Sequence, residues 1–332
     1  MSRGWLKALA GTPDLKGRVE LIGLVDVNLE AAKALQAEFG LSAAAVGTDL
    51  DTLLMQARPD MVFDVAIPSA RREVVLTAFR HGCHVLTEKP MATSLAEARE
   101  LVAASEAAGR VYAVVQNRRF IEGVRRIRET LANGALGDLT ALHADFFIGA
   151  HFGGFREAMD HPLLLDMSIH TMDAARFMAG RNPQAVYCLE TNPPGSWYAH
   201  GAAADAIFEF SDDVVFTYRG SWAAEGANTS WESAWRIIGT KGTLLWDGAD
   251  RFEAHAVAGD SGFLRPLLDI PVPAAPVPSQ TRGHASVIAE FLDAIETGHA
   301  PETSGADNIK SLAMVFAAIE SAKTRQRVLI AA

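Results

Sequence analysis

The chain has 332 residues, 49% hydrophobic and 21% charged, which suits roughly two globular domains of 100–200 residues each. A formal net charge of -10 argues against a nucleic-acid partner, because no basic excess exists to neutralise a row of phosphates. No apolar run is long enough to span a bilayer, and Met1 to Ala10 lacks a signal-peptide core; the only cysteines, Cys83 and Cys188, sit in apolar strand-like runs, so the expectation is a reducing, cytoplasmic setting without disulfides.

Met1 to Ala10 reads as a helix with Trp5, Leu6 and Leu9 on one side. Val19 to Val25 reads as a buried strand ending in Asp26. Asn28 caps a helix over Leu29 to Phe39, stopped by Gly40. A short strand near Ala43 to Val46 precedes a small helix from about Asp49 to Gln56. Met61 to Ile67 is a strand closed by Pro68, and Ala70 to Arg80 a helix. Cys83 to Thr87 is a strand running into Glu88-Lys89-Pro90. Ser94 caps Leu95 to Ala107 with Glu97 as its capping-box partner, and Val111 to Val115 is the last strand of the series. Strands that are apolar nearly throughout and alternate with helices imply parallel pairing with both faces covered, a doubly wound sheet. Ligands of such sheets lie beyond the carboxyl ends of the strands. Here those ends carry Asp26, Pro68, Glu88-Lys89-Pro90 and Gln116-Asn117. An acid in the position of Asp26 can accept hydrogen bonds from a ribose diol and repel a 2′-phosphate, although taken alone it is an ordinary loop acid. Lys89 has a bland reading as a solvated lysine; its place at the mouth of a buried strand allows a tuned one.

Arg118 to Phe120 opens a helix running to about Asn133, and Leu139 to Ile148 is a strand. Gly149 to Gly154 is a loop in which His151 is either a substrate contact or a plain loop residue. Leu163 to Ala175 reads as a helix that continues to Gly180. Its Asp166, His170 and Asp173 stand at i, i+4 and i+7, on one face. A carboxylate one turn before an imidazole can hold the ring and fix its proton, which suits acid–base chemistry near neutral pH. A buried helix with a satisfied polar stripe is the equal alternative. A metal site has less support, since no second cluster of His or Cys exists. Five strands follow in quick succession: Ala185–Glu190, Ala203–Phe210, Val214–Trp222, Ser233–Ile238 and Thr243–Trp246. Asp212-Asp213 and Gly239 to Gly242 make hairpin turns, so this sheet is mostly antiparallel. Ile270 to Pro278 is a proline-rich connector, and helices over about Gly283–Thr297 and Gly305–Thr324 close the chain. Trp197, Trp222 and Trp231 could stack on a sugar ring but are expected in the core.

Three features together resemble the Gfo/Idh/MocA oxidoreductases over essentially the whole chain: the strand ending in Glu88-Lys89-Pro90, the Asp166-x-x-x-His170 helix with Asp173, and Gly239-Thr-Lys-Gly-Thr243. That family includes glucose–fructose oxidoreductase and inositol 2-dehydrogenase. The resemblance implies an α/β chain with a Rossmann-like domain over 1–118 and a substrate domain over 119–332, the latter built on an open, mostly antiparallel sheet. It implies hydride transfer between a nicotinamide and a sugar, inositol or related polyol, with NAD favoured over NADP because Asp26 matches the ribose acid. Its catalytic residues fall on Lys89, Asp166 and His170. Cofactor contacts fall on Ser2, Asp26, Pro68, Glu88, Lys89 and Asn117, and substrate contacts on Arg118, His151 and Asp173. Homodimers or homotetramers through the second sheet are implied as well. Two departures stand out. The family's first strand and glycine-rich phosphate loop are absent, and Met1-Ser2 looks like the end of that loop, from a start assigned late or a truly shortened chain; the late start is favoured because a parallel sheet without its middle strand leaves edges unpaired. Arg72 stands where the pattern often has a His. Other outcomes for this scaffold are an NAD-dependent glycosidase and a non-catalytic cofactor or sugar binder.

Overall fold

A computed structural model describes residues 1–331. The chain forms two compact units, one of Met1–Asn117 with Arg282–Ile309, the other of Arg118–Thr281 with the chain from Lys310 on. A single cut near residue 118 therefore omits the return of 282–309 to the first unit, a tertiary event that local pattern does not report.

In the first unit, α1 (Ser2–Gly11) buries Trp5 and Leu6. β1 (Gly23–Val25) pairs in parallel with β2 (Ala45–Gly47), joined by α2 (Leu29–Glu38). The Asn28 side chain accepts the N–H groups of Glu30 and Ala31, as the capping pattern requires. α3 (Leu50–Ala57) follows, capped by Asp49. β3 (Met61–Asp64), β4 (His84–Thr87) and β5 (Tyr112–Val114) form a second parallel sheet, with α4 (Pro68–Arg80) and α5 (Leu95–Ala108) as crossovers. Pro68 does not close the strand but opens α4, where its missing N–H costs nothing. Glu97 completes its capping box on the Thr93 N–H at 3.0 Å rather than on Ser94.

The expected single sheet is thus two parallel sheets, and among the described residues no strand pairs β1 with β3. The strand read over Val19 to Val25 shrinks to three residues, because its only ladder partner, β2, begins at Ala45 opposite Gly23. β5 is wholly buried, whereas Met61 to Phe63 are half-buried and Val25 is exposed. Burial falls off where the ladder stops.

The second unit starts with a 3-10 turn at Asn117–Phe120 and α6 (Glu122–Ala132). Its nine-stranded sheet has the order β13-β12-β11-β10-β6-β9-β8-β7-β14. The strands are β6 (Leu139–Phe147), β7 (Pro183–Thr191), β8 (Ala203–Phe210), β9 (Val215–Ser221), β10 (Ala234–Gly239), β11 (Gly242–Trp246), β12 (Phe252–Val257), β13 (Leu267–Asp269) and β14 (Val328–Leu329). Among the described residues of this sheet, only the β6–β9 pair is parallel. The turn between β10 and β11 needs its glycines: a Cβ at Gly239 would strike the Leu136 carbonyl, and one at Gly242 that of His255. One face buries Phe146, Phe208, Phe216, Tyr218, Ile237 and Leu244. The opposite face leaves Tyr187, Ile207 and Val215 exposed, as period-two alternation dictates. α7 (Phe155–Ala158) is one turn in the loop after β6. The helix read over Leu163 to Ala175 has a break in period: Leu163–Ser168 is a π-helical turn, and only then does α8 (Ile169–Ala179) begin, ending on left-handed Gly180. α9 (His284–Thr297) belongs to the first unit, and α10 (Gly305–Thr324) ends the helical series. Among the described residues, no helix is long and apolar enough to cross a membrane.

Candidate active site

In the first unit, the chemistry gathers where β4 ends. Thr87 donates to Asp64 Oδ2 at 2.6 Å. Arg71, buried on α4, donates from Nε to the same oxygen at 3.0 Å, from Nη2 to the Ala66 carbonyl at 2.6 Å and from Nη1 to the Pro90 carbonyl. One guanidinium therefore ties the loop after β3 to the loop after β4, and Lys89 hangs between these anchors, half-buried. Glu88 is 4% exposed. Its Oε1 accepts the Trp5 indole N–H at 2.7 Å and lies 3.8 Å from His284 Nε2. Burial opposes its charged form, but His284, the Trp5 N–H and the nearby Lys89 charge outweigh burial and hold the carboxyl below the usual glutamate value. Asn117, at the end of β5, meets His284 Nδ1 at 3.3 Å.

Asp26 follows β1 and is exposed; its Oδ1 accepts the Asn28 N–H at 2.8 Å. Ser2 is the first residue of α1, a helix start with no side-chain cap. Pro68 occupies the equivalent start of α4. Arg72 points elsewhere, onto Glu100 of α5 with contacts of 2.6 and 2.5 Å. Trp5, Arg71 and His284 were missed as site residues. Trp5 carried a weak signal as a helix residue on an apolar side; for His284, far along the chain, nothing local marked it.

In the second unit, Asp166 sits within the π-helical turn and accepts Arg156 Nε at 2.7 Å. His170 is the second residue of α8 and is half-buried. Asp173 is not open to a substrate: it is 1% exposed and takes two hydrogen bonds from Arg119, both 2.7 Å, and one from Ser311 at 2.5 Å. Arg176 completes this cluster by donating to Ser311 at 2.8 Å. The substrate role expected for Asp173 is therefore corrected to a structural one. The error arose because i, i+4, i+7 spacing implied a common face, which the π turn and the burial of α8 abolish. Arg118 is paired with Glu232, and burial draws its guanidinium down to about 10, still charged at neutral pH. His151 is exposed, stacks on Trp197 with centroids 3.7 Å apart, and reaches Glu225 at 3.0 Å. Trp222 is in the core, as expected; Trp197 is half-buried and Trp231 is 45% exposed, so the core expectation fails for these two.

Residues 5–116 match the oxidoreductase family with an NAD-binding Rossmann fold, Gfo/Idh/MocA, and residues 124–245 match a C-terminal domain of the same family. The chain is 28% identical to the D-apiose dehydrogenase of Paraburkholderia graminis, over 93% of this chain and 82% of that one. It is 26% identical to the 1,5-anhydro-D-fructose reductase of Ensifer adhaerens, over 92% and 90%. Among solved structures, an oxidoreductase from Agrobacterium radiobacter in complex with NAD+, L-tartaric acid and magnesium superposes with a TM-score of 0.84 at 21% identity, over 98% and 94%. With both domains matched and the strand-end lysine and the aspartate–histidine turn in place, the chain belongs to the Gfo/Idh/MocA family of oxidoreductases.

Proposed function

We propose that this oxidoreductase moves a hydride between NAD and a hydroxyl-bearing carbon of a sugar or cyclic polyol, in a cytoplasmic setting consistent with its two buried, free cysteines. The observation that carries the reading is Lys89 at the end of β4, in a loop held by Arg71 on one side and by the Trp5–Glu88 bond on the other. A rigid loop is what a group needs if it must meet charge that develops only during reaction. Asp26 fits a dinucleotide: with Oδ1 on the Asn28 N–H, Oδ2 has no protein donor among the described residues and can take a ribose hydroxyl, while its charge disfavours a 2′-phosphate. Ser2, Pro68, Glu88 and Asn117 are proposed around the same ligand. Bound NAD would supply the hydride acceptor. His170 takes the hydroxyl proton, Asp166 orients substrate and ring, and Lys89 donates a hydrogen bond to the oxygen as negative charge builds on it. Arg118 and His151 are proposed at the substrate's other hydroxyls. A homodimer or homotetramer through the uncovered face of the nine-stranded sheet is supported by its exposed Tyr187, Ile207 and Val215.

The test is a panel of sugars and inositols with NAD, followed by reduced-nicotinamide absorbance. Lys89→Met and His170→Ala should each lower turnover by about 10²–10⁴. Wild-type turnover in both variants overturns the assignment.

A further inference from the structure

We propose that the substrate is a sugar acid, an aldonate or uronate, whose carboxylate is taken by Arg156 beside Asp166. The proposal rests on the dehydrogenase reading above and adds the class of substrate.

The loop after β6 turns through Gly153 and Gly154, both at φ 66°, into the single turn of α7. That turn presents Phe155, 70% exposed, next to Phe152, 42% exposed. The Arg156 guanidinium carbon lies 5.2 Å from the Phe152 ring centroid and 4.9 Å from that of Phe155. Its Nε donates to Asp166 Oδ2 at 2.7 Å, and its side chain remains 32% exposed. Among the described residues, neither Nη atom meets a protein acceptor.

Three arginine–carboxylate pairs of the unit bind in a different mode, while Arg181 on Asp212, an exposed pair, also uses Nε. Arg119 on Asp173, Arg219 on Asp145 and Arg327 on Glu209 all use Nε and Nη2 together, two parallel bonds on one carboxylate. That is the geometry expected of a pair whose work is structural. Arg156 gives Asp166 only its Nε, so the fork formed by its two Nη atoms stays open. An open fork matches a carboxylate. Flanking rings reduce competing hydration, which strengthens the contact. The neighbouring carboxylates of Asp166 and Glu157 weigh more heavily against a dianionic phosphate than against a monoanionic carboxylate. Exposed aromatic surface beside the fork suits the apolar face of a sugar ring. A group held there lies beside the acid proposed to orient the substrate, so the carboxylate sits near the reacting carbon.

The experiment compares matched pairs: D-glucose with D-glucuronate, D-galactose with D-galacturonate, and D-glucitol with D-gluconate, plus D-glucose 6-phosphate. Initial rates with NAD are measured on the full chain, and binding is read separately as a thermal shift for each compound. At least one acid should exceed its neutral partner at least tenfold in kcat/KM, mainly through KM, and should give the larger thermal shift. Arg156→Leu should remove that advantage and Arg156→Lys keep part of it. Loss of Asp166 positioning alone would instead lower kcat for both members alike. Equal preference, preference for the neutral or phosphorylated sugar, or an acid preference that survives Arg156→Leu overturns the proposal. If no compound is oxidised yet the acids alone bind through Arg156, the dehydrogenase reading fails and the carboxylate site stands; if neither rates nor thermal shifts favour an acid, the carboxylate site fails.

Discussion

Replacing Asp173 by Asn separates a structural acid from a substrate contact. Asp173 and Arg119 have side-chain exposures of 1% and 5%, with two bonds of 2.7 Å between them and a third from Ser311. The substitution keeps the shape but removes the carboxylate bonded twice by Arg119, and it leaves two guanidinium groups, Arg119 and Arg176, buried beside a neutral amide. Breaking a buried pair from one side costs about 3–5 kcal/mol. At about 2–4 °C per kcal/mol for a unit of this size, the melting temperature should fall by roughly 6–20 °C. Thermal unfolding followed by circular dichroism measures this, and steady-state kinetics well below the transition should show KM changed less than about threefold. A second arm tests the cause: Arg119→Met with Asp173→Leu should be less destabilised than Asp173→Leu alone, because Arg119 is then not left buried without its carboxylate. A fall of under about 2 °C accompanied by a tenfold rise in KM would refute the structural assignment and restore Asp173 as a ligand contact.

Trp5→Phe keeps an aromatic ring against Phe63 but removes the N–H given to Glu88, and should cost about 1.5–3 kcal/mol of stability, read by urea unfolding. Glu88 titrates below 4.5 in the folded protein, so its contribution is present above that value and lost as pH falls through the lower folded one. Stability profiles should therefore steepen below about pH 4.5 in the wild type and flatten there in Glu88→Gln. Asp26→Ala should raise KM for NAD by about tenfold to a hundredfold, the worth of a hydrogen bond to a charged group, and narrow the gap to NADP; an unchanged cofactor preference would remove Asp26 from the ribose site.

Caps and stops were legible because they act within a few residues. Asn28, Asp49 and Ser94 open helices where they stand, and α10 runs over the residues its pattern marked. The long strands of the second sheet were legible from alternation, while β12, β13 and β14 were not. β13 is exposed throughout and β14 has two residues, so neither carries an apolar signal. Lys89, Asp166 and His170 were legible as motif residues, but their surroundings were not.

From sequence alone came the alternation of helix and strand, the family, and the residues proposed to carry acid–base chemistry, since each depends on neighbours a few positions away or on a fixed motif. Tertiary structure alone decided which acids are open. Asp166 and Asp173 stand seven residues apart on one segment, yet one holds a half-exposed arginine and the other disappears into an ion pair with Arg119 and a hydrogen bond from Ser311. Exposure depends on which distant side chains arrive to satisfy a charge, and the enclosure of Glu88 by Trp5 and His284, far before and far after it in the chain, has the same cause.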